Sequence, residues 1–551
     1  MSQLARKEFL KYVLAAIASG TPVAALARQL PPGPQPRTDD ITLEDLRSFE
    51  KIAGIEFSEA EREEVLEEVR AARDGYAAVR KLPVDYGRAP QTVFTPLGGG
   101  SIPSAKVSAK PSRVTVKGKP TDEDLAFLTV TELSCLVRTR QVSPVDLTEL
   151  YLARLKKYGD ALLCLVTLTE DLARREAHEA ETEIAQGHYR GPLHGIPYGI
   201  KDLFATKGIP TTWGAEPFQG QVPYYDSAVV ERLREAGAIL LAKLSLGALA
   251  QGDVWFKGRT KNPWNPSQGS SGSSAGPAAA TAAGLVAFSI GTETNGSIVS
   301  PSIRCRVTGL RPTYGRISKY GAMELSYTMD KVGPICREAE DCALVLAAIC
   351  GADPRDPSAV DRPFTWPKRV DYTQLKIGWL VQGTATTAPS DDPVLSILRK
   401  KGAQIVDVSF PRLTPGVSKI LEVESASAFD AFTRGNEIHG LHDSTWPVTF
   451  RANRFVPAVE YLQAQRARTL LMQEFEKTFG DLDAVVCMGG GSILTTTNLT
   501  GHPQIVIPLK DGQARSIVGR LYSEDVIVAI AHAVQSELQV HRLRPDLRKL
   551  A

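Results

Sequence analysis

The spacing of apolar positions changes several times along the chain, and the changes divide it. Residues 1–27 carry a basic start (Arg6, Lys7, Lys11), then an apolar run from Tyr12 to Ala27 with small residues at Ala25 and Ala27. This is the three-part pattern of a secretory signal, and it predicts cleavage before Arg28. Arg6-Lys7-Glu8-Phe9-Leu10-Lys11 is also similar to a twin-arginine export motif with Lys7 in place of the second arginine. The competing reading is an amphipathic helix in a cytoplasmic protein. Residues 28–122 read as a linker and a helical extension. "PPGPQP" (Pro31–Pro36) opens it, Thr42–Arg80 has helical periodicity with dense charge, and Leu82–Pro120 is an irregular connection rich in Pro, Gly, Ser and Lys.

From residue 123 to about 545 the pattern is that of one large domain. "VTELSCLVRTRQVSPVDLTELYLARLKKYG" predicts two helices. Short apolar runs then alternate with helical ones: "GIPYGI", "AVVERLREAGAILLAKL", "GLVAFSI", "DCALVLAAIC", "LKIGWLV", "AQIVDVSF", "DAVVCM" and "PQIVIPL". Such alternation predicts an α/β fold, a mixed sheet covered by helices. No run after the first 27 residues reaches the roughly 18 uncharged apolar residues of a membrane span.

Composition changes this picture little. The chain has 551 residues, 43% hydrophobic and 23% charged, with a formal net charge of +2. Nucleic-acid binding calls for a basic stripe with interleaved aromatics, and none is present. The seven cysteines have no C-x-x-C spacing and the eight histidines form no H-E-x-x-H, so the sequence suggests neither a disulfide framework nor a metal site.

Candidate chemistry lies in "GSSGSSAGPAAATAAGLVAFSIGTETNGSIVSP", Gly269–Pro301. A flexible Gly/Ser linker is one reading, but the run passes directly into a helix former and then a buried-strand candidate. A nucleophile elbow is another, since Gly272-Ser273-Ser274-Ala275-Gly276 fits G-x-S-x-G. That motif needs a preceding strand, and "KNPWNPSQ" does not read as one. The third reading uses both ends of the stretch. Ser297 follows a predicted strand and the turn "TETNG", ahead of a helix start, among backbone N–H groups able to hold an oxyanion. A serine needs a base, and Lys201 at the end of "GIPYGIK" serves if burial keeps it neutral. The alternative for Lys201 is a strand-end lysine reaching solvent.

"GIPYGIKDLF", "GSSGSSAGPAAATAAG" and "GTETNGSIVSPS...GLRPTYGRIS" together resemble the amidase signature family. The likeness runs from about Leu128 to Ala533 and includes "NPWNP", "SYTMDKVGP" and "TGHPQIVIP". The resemblance implies a Ser–Ser–Lys triad of Ser297 (nucleophile), Ser273 (bridging serine) and Lys201 (base). It also implies a cis peptide between Gly272 and Ser273, with Ser270-Ser271 a decoy pair. The N–H groups of Thr294, Asn295, Gly296 and Ser297 are the implied oxyanion hole. No metal and no organic cofactor is implied, and the partner is a small-molecule amide.

Several positions depart from the family pattern. Asn295 replaces the first glycine of G-G-S, and Pro277 replaces a common serine. Val299 stands where an arginine often faces an aspartate of the turn, here Glu293, so that salt bridge is expected to be missing. The segment "LKDGQARSIVGR", which in the family helps shape the substrate entrance, is short and polar.

The implied activity is that of a serine amidohydrolase. One component of an aminoacyl-tRNA amidotransferase, releasing ammonia from glutamine, is the alternative within the same fold. A non-catalytic amide-binding protein on that scaffold is a third.

Overall fold

The computed structural model describes residues 41–54, 58–60, 62–63, 66, 106–116, 118–381, 391–414, 416–435, 437–441, 444–490 and 493–550. The export signal at 1–27 and the linker at Pro31–Pro36 lie outside the described residues. The chain splits into two compact units, residues 1–84 and 85–551.

In the first unit, Leu43–Ala53 forms helix α1. It starts at a capping box between Thr42 and Asp45 and stops at Gly54 in the left-handed region. Arg62 holds the buried Glu50 carboxylate at 2.9 Å.

In the second unit the two helices expected after residue 123 are Val130–Arg138 (α2) and Pro144–Tyr158 (α3). Thr129 caps α2 through a reciprocal bond with Glu132. Ser143 caps α3, with Pro144 at its first position, where a missing N–H costs nothing. Glu170–Ala185 (α4) follows.

The strands of the main sheet, in chain order, are Leu165–Leu168 (β1), Pro197–Lys201 (β2), Ile239–Leu244 (β3), Phe288–Glu293 (β4), Thr308–Arg311 (β5) and Lys331–Cys336 (β6). Lys376–Leu380 (β7), Gln404–Val408 (β8), Ala484–Met488 (β9), Gln504–Pro508 (β10) and Ala514–Gly519 (β11) complete it. Their spatial order is β8-β7-β9-β11-β10-β5-β6-β4-β2-β3-β1. The sheet is mixed: β2 is parallel to β3 and β4, and the centre from β4 through β11 is antiparallel. β2, β3, β6, β10 and β11 are buried along their whole length, which requires cover on both faces. Part of that cover is Ala275–Ala282 (α5), Val299–Cys305 (α6), Ala339–Ile349 (α7) and Glu524–Leu538 (α9), with Ala458–Phe479 (α8) a longer helix between β8 and β9.

Each of the eight apolar runs contributes a strand or helix. "DCALVLAAIC" falls in helix α7, and the other runs supply strands. β1, β5, β6 and β11 were not foreseen. The polar segment after Pro508 is not simply an entrance loop, because its second half is β11, paired on both sides. Its charged residue is absorbed by the fold: Arg515 donates to Asp392 at 2.7 Å, both buried. Val107–Ala109, within the connection read as irregular, pairs in parallel with Phe364–Trp366. No helix among the described residues is long and apolar enough to cross a membrane.

Candidate active site

Two parallel strands and the turns at their C-terminal ends bring the predicted residues together. Lys201 is the last residue of β2 and is fully buried. Its ammonium group donates to Ser273 Oγ at 2.8 Å and to Thr292 Oγ1 at 2.8 Å, with the Thr292 carbonyl at 3.5 Å. These partners are uncharged. Burial therefore pushes the Lys201 pKa down to about 7, against the opposing pull of Asp330 and Glu293. Lys201 does not reach solvent.

A second buried lysine sharpens the contrast. Lys243 on β3 lies 3.1 Å from the Asp202 carboxylate and donates to Thr211 Oγ1 and the Phe204 carbonyl. Lys243 has a counter-ion in contact, whereas Lys201 meets hydroxyls.

Ser273 is buried, and the Gly272–Ser273 peptide is cis, as the resemblance implied. Only glycine fits before it. A Cβ on Gly272 would stand 1.8 Å from the Gly252 carbonyl oxygen. Ser270 and Ser271 are occupied elsewhere. Ser270 Oγ donates to the Ser271 carbonyl, and the Ser271 amide donates to Asp253.

Ser274 is a strut. Its hydroxyl accepts from the Thr292 amide at 3.2 Å and donates to the Thr292 carbonyl at 3.1 Å. Its own amide donates to the Ser297 carbonyl at 3.0 Å. The cis turn is thus fastened to the end of β4 and to the turn that carries Ser297. Contrary to expectation, "KNPWNPSQ" does supply a strand, Asn265–Gly269, ahead of α5, but the elbow serine in the turn between them, Ser274, has its hydroxyl committed to the Thr292 amide and carbonyl. The sequence offered Ser274 only as an elbow serine and gave Thr292 no role. Their only signal is position, Ser274 directly after Ser273 and Thr292 directly after Gly291.

Ser297 sits half-buried between β4 and α6, at the strand–turn–helix junction predicted for it. Asn295 is exposed and is not among the residues with positive φ; Gly296, at φ 95°, takes the left-handed position. The asparagine therefore brings no backbone strain. Among the described residues no hydrogen bond joins Ser273 Oγ to Ser297 Oγ. The structure unites Lys201 with Ser273 directly, and unites Ser297 with them through the Ser274 amide.

The missing salt bridge is replaced. Glu293 is fully buried and lies 2.8 Å from Arg311 on β5, instead of from an arginine at position 299. One carboxylate oxygen also accepts the amides of Ile298 and Val299 at 2.8 and 2.9 Å, at the start of α6, and the other accepts from Asn498 at 2.8 Å. Burial alone would raise the Glu293 carboxyl. Arg311 and these donors outweigh it and hold the pKa at about 2. The turn between β4 and α6 is thereby clamped on both sides of Ser297. Thr294 adds a third tie, donating to the buried Asp330 at 2.5 Å, and Asp330 accepts in turn from the Leu325 and Ser326 amides.

A buried lysine with its pKa brought down to about 7 and bonded to the Ser273 hydroxyl has the chemistry of a base once it loses its proton.

Comparisons with known proteins bear on the family and the fold. The family model described as Amidase matches residues 146–489. The A-type component of the glutamyl-tRNA(Gln) amidotransferase from Methylococcus capsulatus is 32% identical over 483 residues, 76% of this chain and 98% of the relative. Its counterpart of the same name from Geobacter sulfurreducens is 34% identical over 405 residues, 66% of this chain and 82% of the relative. Among solved structures, the peptide amidase from Stenotrophomonas maltophilia is 28% identical with a TM-score of 0.66, over 76% of this chain and 98% of that one. With the family model matching well over half of the chain and these relatives covered over most of their length, this chain belongs to the amidase signature family.

Proposed function

We propose that the chain is a serine amidohydrolase acting on a carboxamide C–N bond outside peptide linkages. The observation that carries the reading is the fully buried Lys201, 2.8 Å from Ser273 Oγ and hydrogen-bonded to no carboxylate. Neutral Lys201 takes the proton of Ser273, which takes that of Ser297. Ser297 Oγ attacks the amide carbonyl, and the developing oxyanion is held by backbone N–H groups of Thr294, Asn295, Gly296 and Ser297. The proton returns to the leaving amine, whose C–N bond breaks. Water then cleaves the acyl-enzyme along the same relay. The reaction draws on no metal and no organic cofactor. Export to the periplasm, after cleavage near Ala27, accompanies this reading.

The similarity to the amidotransferase components over 76% of the chain favours one second reading, release of ammonia from glutamine as part of a cytoplasmic assembly. A screen of aryl, aliphatic and peptide C-terminal amides, with glutamine tested in the presence and absence of partner proteins, separates the two. Fluorophosphonate labelling addresses both against a non-catalytic scaffold. Labelling at Ser297 that is lost in Ser297→Ala is expected, and an unlabelled wild-type protein would defeat a serine mechanism.

A further inference from the structure

The segment between β5 and β6 carries a charged residue that the relay of Lys201, Ser273 and Ser297 does not use. Glu324 is half-buried there, between the buried Met323 and Leu325. With Thr292, Thr294, Leu203 and Met323 it lines a cavity of about 10 Å³. That volume has room for about one water-sized group. The cavity adjoins the candidate active site: the Thr292 hydroxyl is bonded to Lys201, and Thr294 belongs to the turn that carries Ser297.

The backbone around Glu324 is fixed relative to that turn. Asp330 accepts from the Thr294 hydroxyl through one carboxylate oxygen, and from the Leu325 and Ser326 amides, at 2.7 and 3.0 Å, through the other. One buried carboxylate thus joins Leu325, next to Glu324, to Thr294 on the Ser297 turn. On the far side Glu424, in the helix Lys419–Ala428, accepts from the Ser326 hydroxyl and from the amide and hydroxyl of Thr328. Glu424 also accepts from Tyr461 and Gln465 of α8, and Arg468 of α8 donates to the hydroxyl and carbonyl of Thr328. Supports of this kind hold a side chain to the tolerance that recognition of a small group requires.

The charges around the cavity favour a cation. Lys319 lines it too, but its ammonium group is engaged by both oxygens of Asp356 at 3.4 Å and by Ser358 Oγ at 2.5 Å. Burial pushes the Glu324 carboxyl up to about 8; Lys319 opposes this, while Asp330, Asp356 and Glu424 add to it. Holding Glu324 ionised therefore carries a cost that an entering positive charge offsets. A water-sized space admits a compact ammonium head and not a planar guanidinium. We infer that Glu324 is a specificity-determining residue that binds a primary ammonium group carried by the substrate in the cavity beside Thr292 and Thr294. The inference rests on the amidohydrolase reading and names its substrate class, an amide with a free amino group on a short alkyl chain away from the scissile C–N bond.

The test measures kcat/KM at about pH 8.5, where Lys201 is mostly neutral, Glu324 mostly ionised and an alkylammonium still charged. One series of probes, ω-aminobutanamide and ω-aminohexanamide, carries the ammonium on the acyl part. A second, N-(ω-aminobutyl)acetamide and N-(ω-aminohexyl)acetamide, carries it on the amine part. Each is paired with the amide of equal length that ends in methyl. In at least one series the ω-ammonium amide should exceed its methyl-terminated counterpart by ~10-fold or more, and Glu324→Gln should bring that ratio to within about twofold of unity. Turnover of the methyl-terminated amides by the variant shows that it is folded. Calorimetric titration of the same amides into the Ser297→Ala protein reads binding without turnover, and adding Glu324→Gln should weaken binding of the ω-ammonium amides ~10-fold. Equal rates for charged and methyl-terminated amides in both series, or a preference that survives Glu324→Gln, would overturn the inference and leave the amidohydrolase reading standing. If no amide is hydrolysed and Ser297 takes no fluorophosphonate label, the amidohydrolase reading falls. The calorimetric comparison still decides the cavity: no binding of the ω-ammonium amides, or equal binding with Glu324→Gln, overturns the assignment.

Discussion

The rate should depend on pH through Lys201, and the size of the effect follows from its surroundings. An ordinary lysine, with a pKa near 10.5, is neutral in only about 0.03% of molecules at pH 7. At a pKa of about 7, half the molecules carry the neutral amine. Burial thus supplies about three orders of magnitude in competent base, equivalent to about 5 kcal/mol of differential interaction. Because the base must be deprotonated, kcat/KM for a chromogenic anilide should rise with pH along a single inflection near 7. It should fall tenfold per unit on the acid side and reach a plateau by about pH 8 to 9. Lys201→Arg should lose at least ~1000-fold across that range, because a guanidinium stays charged. Lys201→Ala should lose a similar amount, and both variants should remain folded by circular dichroism. A flat profile between pH 6 and 9, an inflection near 10, or a Lys201→Arg enzyme with near-normal turnover would overturn this account of the base.

Other substitutions probe the frame around the serines. Gly272→Ala places a Cβ 1.8 Å from the Gly252 oxygen, so activity should collapse with a stability loss of about 1–3 kcal/mol, read from turnover and denaturant melts. Arg311→Leu leaves the Glu293 carboxylate buried without its partner and should cost about 3–5 kcal/mol, measured by urea unfolding. Since Glu293 is held at about 2, below its unfolded value near 4.5, its contribution in the wild type is complete above pH 4.5. That contribution fades as pH falls toward 2, and in the variant this loss on acidification should shrink. Ser274→Ala should lower stability and rate but leave fluorophosphonate labelling on Ser297, because its hydroxyl serves the Thr292 backbone. N-terminal sequencing of protein from a periplasmic fraction should begin at or near Arg28; full-length chain confined to the cytoplasm would defeat export and strengthen the amidotransferase reading.

Local signals along the chain sufficed for the elements they mark and for singling out the three residues that the family resemblance implies. Apolar runs such as "PQIVIPL" declare a buried element, and their shortness and β-branched residues mark it as a strand, whereas the longer "DCALVLAAIC" is a helix. Thr129 with Glu132, and Ser143 with Pro144, mark helix starts through bonds made within one turn. Ser273, Ser297 and Lys201 were legible through the order and spacing of short motifs. Other features arise only when distant segments meet. β5, β6 and β11 contain Arg311, Lys331 and Arg515, charges that argue against a buried strand until partners from elsewhere in the fold neutralise or bind them. Arg311 could take over as the partner of Glu293 because strand pairing, not sequence proximity, sets that distance. Thr292 and Ser274 became struts because parallel β2 and β4 end side by side. The surroundings of Lys201 were decided the same way: whether a strand-end lysine reaches solvent or is buried with a lowered pKa depends on what covers the strand end, and part of that cover is the Ser273 turn, 72 residues further along the chain.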